Sequence, residues 1–222
     1  MSYLSGKREN MQLIILDFDG TIGDTKSLIV STFQKTIKEL GMPPRTDEEC
    51  ASTIGLPLKE AFMSLFTIES ARAELCTDTY RRIFYRSNTP GAVKPFPHTI
   101  ETLHKLHAAG YTLTIASSRN RHTLDEYLCE MQIKEIISLV VGADDTQKAK
   151  PHPEPAEKIL QHFSCPPHEA IVVGDTHYDI LMGLRAGCHT CGVTYGNGSR
   201  NELLAAGAQH IIEDFSQLRD IL

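Results

Sequence analysis

Two rhythms of apolar and polar positions divide this chain, and the change from one to the other falls near residue 95. Close to the start, Met11-Gln12-Leu13-Ile14-Ile15-Leu16 is a short apolar run with the length and composition of a buried strand. From residue 25 to about 89 the spacing is helical. Leu28, Ile29, Phe33, Ile37 and Leu40 recur on one face, and Gly41-Met42-Pro43-Pro44 stops that helix. Thr46-Asp47-Glu48-Glu49 has the spacing of a capping box, so a second helix is expected there. A further helix is expected after Pro57 and a longer one over roughly 69–87. No strand pattern interrupts this stretch.

From Pro95 onward strand and helix alternate. Apolar strands are predicted at 112–117, 139–142, 170–174, 191–194 and, more weakly, 210–212, with helices between them such as 99–109 and 122–131. Such alternation requires a mostly parallel sheet with helices on both faces. The expected fold class is therefore α/β: a Rossmann-like core sheet carrying an inserted all-helical cap. Residues 1–24 and 90–222 would form the core and 25–89 the insertion after the first strand.

Composition narrows the picture further. A chain of 222 residues, 41% hydrophobic and 23% charged, has the balance of a globular protein with a sizeable core. A net charge of −6 without a basic block argues against nucleic acid as the main partner. No run approaches the roughly 18 apolar residues that span a membrane, and the first ten residues are polar without a signal-peptide core. Cys50, Cys76, Cys129, Cys165, Cys188 and Cys191 then read as reduced thiols, and a cytoplasmic location is expected. The C-x-x-C spacing of Cys188 and Cys191 lacks a second pair, and Cys191 opens an apolar strand, so both read as buried thiols. His104 and His107 read as surface or packing residues.

The candidate chemistry begins where the first strand ends, at Asp17-Phe18-Asp19-Gly20-Thr21. Side chains alternate along a strand, so Asp17 and Asp19 share a side at its terminus, and the glycine lets the backbone turn. Paired acids in a cleft repel, and a divalent cation stabilises them. An EF-hand would need Gly at the sixth loop position and Glu at the twelfth, where this chain has Ile22 and Leu28.

Ligands of parallel sheets bind beyond the carboxyl ends of the strands, so further polar groups should follow the later strands. Ser117-Ser118-Arg119 follows one, where hydroxyls and backbone N–H groups entering a helix suit an anion as well as a helix cap. Lys150 precedes Pro151, which constrains its backbone and could aim its ammonium at a phosphate and at Asp17. Asp175 ends the strand at 170–174 and would complete a metal site, with Asp179 one helical turn on to support it. Each spacing, from Ser117 to Lys150 and from Lys150 to Asp175, is about one strand–helix unit.

With these residues in place, the chain resembles the haloacid dehalogenase superfamily of phosphotransferases over almost its full length. Asp17-Phe18-Asp19-Gly20-Thr21 matches the first motif, Ser117 the second, Lys150 the third, and Gly174-Asp175 with Asp179 the fourth. The helical block matches the cap that one subfamily carries after the first motif. Gly192-Val193-Thr194-Tyr195-Gly196 and Pro95-Phe96-Pro97 resemble the phosphoglycolate phosphatase branch. The resemblance implies that Asp17 attacks phosphorus and that Asp19 protonates the leaving alkoxide, then takes a proton from water. It implies that Ser117, Ser118 and Lys150 hold phosphoryl oxygens, and that Asp17, the carbonyl of Asp19 and Asp175 hold Mg2+. The substrate would be a small phosphorylated metabolite, phosphoglycolate first and pyrophosphate, sugar phosphates or nucleotides next.

Specificity in such proteins comes from the cap, where Ile54-Gly55-Leu56-Pro57-Leu58-Lys59 looks like the loop that dips into the site. Lys59, Arg45, Arg81 and Arg82 are its candidate substrate contacts. One departure from the pattern is Gly23, which replaces a larger apolar residue near the cap hinge and would loosen it. Three other functions fit the sequence less well. A phosphosugar mutase would carry a hinge His where this chain has Ile29, and a phospho-accepting signalling receiver would be about half this length and lack a cap. A dehalogenase displaces a halide that needs no proton, which leaves Asp19 without a task.

Overall fold

The computed structural model describes residues 11–222, so the polar first ten residues lie outside the described residues. The first strand, β1 (Leu13–Leu16), is buried along its whole length. After a two-residue strand β2 (Gly23–Asp24) come four helices: α1 (Lys26–Glu39), α2 (Asp47–Ala51), α3 (Leu58–Leu65) and α4 (Ser70–Ser87). The chain returns through β3 (Lys94–Pro95) and then alternates. It runs α5 (Thr99–Ala108), β4 (Thr112–Ala116), α6 (Arg121–Glu130), β5 (Ile137–Val141), α7 (Glu154–Phe163), β6 (Ala170–Gly174) and α8 (His177–Arg185). It closes with β7 (His189–Val193), α9 (Arg200–Ala205), β8 (His210–Ile212) and α10 (Leu218–Ile221).

Six strands form one sheet in the order β5-β4-β1-β6-β7-β8, and every neighbouring pair is parallel. The period-2 alternation of side chains splits its core in two. Ile14 and Leu16 of β1 join Ile171 and Val173 of β6 on one face, packed by Leu103 and Leu106 of α5 and Leu124 of α6. Leu13 and Ile15 join Ala170 and Val172 on the other, packed by Ala156 and Ile159 of α7 and Met182 of α8. The predicted α/β sheet with helices on both faces is this architecture. Each fully buried Leu or Ile in it contributes about 1.5–3 kcal/mol of transfer free energy.

The four helices between β2 and β3 bring their own aromatic centre. Phe33 of α1 lies with ring centroids 4.9 Å from both Phe62 of α3 and Tyr80 of α4. The expected capping box forms: Thr46 Oγ1 accepts from the Glu49 N–H at 3.1 Å, and Glu49 Oε2 accepts from the Thr46 N–H at 2.7 Å. Among the described residues no helix is long and apolar enough to cross a membrane. All six cysteines are free thiols, with Cys188 and Cys191 buried.

Three details differ from the sequence pattern. The antiparallel pair β2·β3, with Gly23 opposite Pro95 and Asp24 opposite Lys94, joins the points where the chain leaves and re-enters the sheet core. Two-residue strands are too short to show an alternation. Strand β7 begins at His189 and β5 at Ile137, each two residues earlier than the apolar run, because the parallel partners Ile171 and Leu113 set the register. Gly23 is packed tightly: a Cβ there would stand 2.9 Å from the Phe18 ring. That ring fills the space that a larger residue would take, and it stacks on Tyr127 at 5.3 Å.

Candidate active site

Asp17 is fixed by the sheet itself. Its N–H donates to the Val173 carbonyl at 2.9 Å, extending the β1·β6 ladder one residue beyond the strand. On the other side of β1, the Ser117 N–H donates to Val141 at 3.0 Å and so extends β4 in the same way. Because β1 sits between β4 and β6, residues that follow three adjacent strands meet at one edge. The order of connections reverses at β1, which is where such sheets open a crevice for ligands.

Lys150 reaches this edge from the segment after β5. Its ammonium donates to Asp17 Oδ1 and Asp179 Oδ1, each at 2.6 Å, and all three side chains are nearly inaccessible to solvent. The other Asp179 oxygen caps α8, accepting from the Thr176 N–H at 3.1 Å and its hydroxyl at 2.6 Å. Asp175 Oδ2 accepts from the Asn197 N–H at 2.7 Å and side-chain amide at 2.9 Å. Asp175 Oδ1 is buried and has no hydrogen-bond partner among the described residues. One oxygen from each of Asp17, Asp175 and Asp179 lies within 4.8 Å of the others. Gly20 makes this closeness possible: at φ +89° its Cα abuts the Asp175 carboxylate, where any Cβ would collide.

Burial is the main force on these charges. It pushes Asp17 well above the usual carboxylate range; Lys150 opposes that shift, while Asp179, Asp175 and Asp19 add to it. Asp175 is pushed up to about 7 by burial and then by Asp179, against the Asn197 hydrogen bonds. Burial also works against the charge of Lys150, yet Asp17 and Asp179 outweigh it and hold the ammonium above its ordinary value. Three buried acids share one ammonium, so the cluster favours a further positive charge.

A cavity of about 550 Å³ opens over this edge, lined on one side by Asp17, Asp19, Ser117 and Arg119 and on the other by helices α3 and α4. Asp19 does not point at Lys150. Both of its oxygens accept from Arg119, Oδ1 from Nη2 at 2.6 Å and Oδ2 from Nε at 3.1 Å. Ser117 Oγ accepts from the Arg119 N–H at 3.2 Å. Ser118 turns the other way, donating its hydroxyl to the Gly55 carbonyl at 2.7 Å.

These placements coincide with comparisons to known proteins. The profile of the Haloacid dehalogenase-like hydrolase family matches residues 14–193. The chain belongs to the haloacid dehalogenase-like hydrolase family. A pyrophosphatase PpaX from Anoxybacillus flavithermus is 33% identical over 213 residues, covering 96% of this chain and 97% of the relative. A probable phosphatase IndB from Dickeya dadantii is 35% identical over 211 residues, covering 93% and 91%. Among solved structures, a Bacteroides fragilis protein provisionally assigned as a haloacid dehalogenase-like hydrolase superposes with a TM-score of 0.89. It is 26% identical and covers 94% of this chain and 99% of that one.

Within this hydrolase the four basic candidates on the helical block separate. Lys59 and Arg81 line the cavity, each with an acidic neighbour: Glu74 at 2.7 Å from Lys59 and Asp78 at 3.7 Å from Arg81. Arg45 and Arg82 do not line it. Arg45 lies over the Phe66 ring at 4.4 Å and donates to the Leu65 carbonyl, while Arg82 pairs with Glu39. Two further residues, Arg119 and Asn197, belong to the site. Arg119 carried a signal, standing two positions after Ser117. Asn197 carried little, since only its place between Gly196 and Gly198 marks it.

Proposed function

We propose that this chain, a phosphatase of the haloacid dehalogenase-like hydrolase family, is magnesium-dependent and hydrolyses a small phosphorylated metabolite through an aspartyl-phosphate on Asp17. The observation that carries the reading is the Lys150 ammonium held 2.6 Å from Asp17 at the edge of a cavity large enough for a metabolite. Asp17 attacks phosphorus as the nucleophile. Asp19 gives a proton to the leaving oxygen and later takes one from water. Ser117 and Lys150 hold phosphoryl oxygens, and Lys150 offsets the charge that builds on them. Asp179 keeps Lys150 in place.

The donors suit magnesium because all are oxygens: carboxylate oxygens of Asp17, Asp175 and Asp179 gather within 4.8 Å, and the buried Asp175 Oδ1 lacks a hydrogen-bond partner among the described residues. Asp17, the Asp19 carbonyl and Asp175 would hold the ion. When bound it would supply positive charge to the phosphoryl oxygens and to the crowded acids.

Residues 25–89, built from α1 to α4, act as a cap over the cavity in this reading. Phosphoglycolate and pyrophosphate are the substrates to try first, the second because of the PpaX relative. Ile29 lines the cavity and has no titratable group, which favours hydrolysis over the mutase reading.

The test is phosphate release from phosphoglycolate, pyrophosphate and hexose phosphates, with and without magnesium. Turnover that needs both magnesium and Asp17 is expected. A folded, magnesium-binding protein that releases phosphate from none of them would overturn the reading.

A further inference from the structure

Arg119 stands apart from the other cations of the cavity. Its side chain is 10% exposed, whereas those of Lys59 and Arg81 are 38% and 59% exposed. Those two have acidic neighbours on the helical block itself, Glu74 and Asp78. The partner of Arg119 is Asp19, the residue assigned to proton transfer. The guanidinium spends Nε and Nη2 on that carboxylate, with no polar partner for Nη1 among the described residues. It also lies 5.0 Å from the ring centroid of Phe84 on α4 and 5.4 Å from that of Tyr127 on α6. Two aromatic rings therefore fix a planar fork of the kind that grips carboxylates and phosphates.

This arrangement conflicts with the task of Asp19. Both Asp19 oxygens accept from the guanidinium, so a leaving oxygen has to share them with Arg119. An anion that competes for the guanidinium frees those oxygens at least cost, since the buried guanidinium charge stays paired.

We propose that Arg119 is the specificity-determining residue of the site: it takes the second anionic group of the substrate in exchange for Asp19. The inference rests on the phosphatase reading and narrows its substrate to a phosphate ester or anhydride with a carboxylate or second phosphate close behind the leaving oxygen. Asp17, Asp19 and Arg119 line one cavity, and Arg119 contacts the residue assigned to protonate the leaving oxygen. A short anionic tail therefore falls on Arg119 as the phosphoryl group meets Asp17. A neutral tail leaves the Arg119–Asp19 fork closed.

Binding and turnover test this separately. Phosphoglycolate and ethyl phosphate are titrated calorimetrically into Asp17→Asn, with and without Arg119→Ala. Loss of Arg119 should weaken phosphoglycolate at least ~30-fold, as for a truncated buried charge pair, and ethyl phosphate less than about threefold. In the otherwise unaltered enzyme, Arg119→Ala should lower kcat/KM for phosphoglycolate and pyrophosphate at least about tenfold more than for ethyl phosphate. Arg119→Lys, with its charge kept and its fork lost, should recover part of the difference, and melting curves verify that both variants are folded.

Equal losses on both ligands, or no loss on either, would overturn the proposal. A wild type that hydrolyses none of the three compounds would overturn the phosphatase reading. The calorimetric arm would still decide whether Arg119 holds the anionic tail.

Discussion

The Lys150 ammonium lies 2.6 Å from Asp17 Oδ1, a contact that spans 133 residues of chain and is almost closed to solvent. Asp179 takes the same ammonium from the other side at 2.6 Å. Replacing Lys150 by Met would leave these carboxylates without their buried counter-charge, and breaking such a pair costs about 3–5 kcal/mol. Urea unfolding without metal should show that loss, and added magnesium should recover part of it. An unchanged midpoint would mean the ammonium is not what balances the cluster.

Asp17→Asn should behave in the opposite way for stability. Burial already penalises the Asp17 charge, and Asp179, Asp175 and Asp19 add to that penalty. The amide oxygen can still accept from Lys150. Phosphate release should vanish, while the metal-free protein should melt no lower than wild type. Retained turnover would remove Asp17 from the nucleophile role.

Gly20→Ala tests the close approach of the first turn to Asp175. The substitution meets both a positive φ of +89° and a collision with the Asp175 carboxylate. Gly41 serves as the control, with φ +59° and open space around it. Ala at Gly41 should cost about 1 kcal/mol from backbone conformation alone, whereas Gly20→Ala should cost more than the roughly 1–3 kcal/mol of strain and lose magnesium affinity. Equal effects at the two sites would show that Asp175 can yield.

Ser118 links the end of β4 to the loop before α3 through its 2.7 Å bond to Gly55. A neutral hydrogen bond of this kind contributes about 0.5–1.5 kcal/mol, so Ser118→Ala should raise KM by roughly two- to tenfold. The value of kcat should change little. A large fall in kcat instead would place the Ser118 hydroxyl on the phosphoryl group.

A pH effect is expected outside the cavity lining, at Asp214. Hydrogen bonds from Ser216, and then from His98, hold its carboxyl down to about 2 from an ordinary 3.8. A carboxyl whose folded value is depressed adds stability above its unfolded value and loses it as pH falls through the folded one. Asp214→Asn should therefore lower the melting temperature at pH 5, and the gap from wild type should close between about pH 4 and 2. A gap that stays constant to pH 2 would show that the charge plays no part.

Sequence pattern alone determined most of the scaffold. The apolar run before Asp17 and the strand–helix alternation after Pro95 made a parallel sheet necessary, because each apolar face has to be buried. The helical spacing of Phe33 and Ile37 marked the inserted block, and Asp17, Ser117 and Asp175 were legible because each directly follows a strand, with Lys150 further along the segment after β5. Short-range periodicity carries that information, since it reports which face of an element is buried.

What the pattern could not carry were the partners. Only the fold brought Asn197 to Asp175, Gly55 to Ser118 and Glu39 to Arg82. It also turned Asp19 onto Arg119 instead of toward Lys150, and drew Arg45 onto Phe66 and away from the cavity. These choices depend on where long polar side chains find oppositely charged or aromatic neighbours across 20 to 100 residues of sequence. Spacing along the chain holds no record of such distances; the packing of helices and loops around the edge of the sheet decides them.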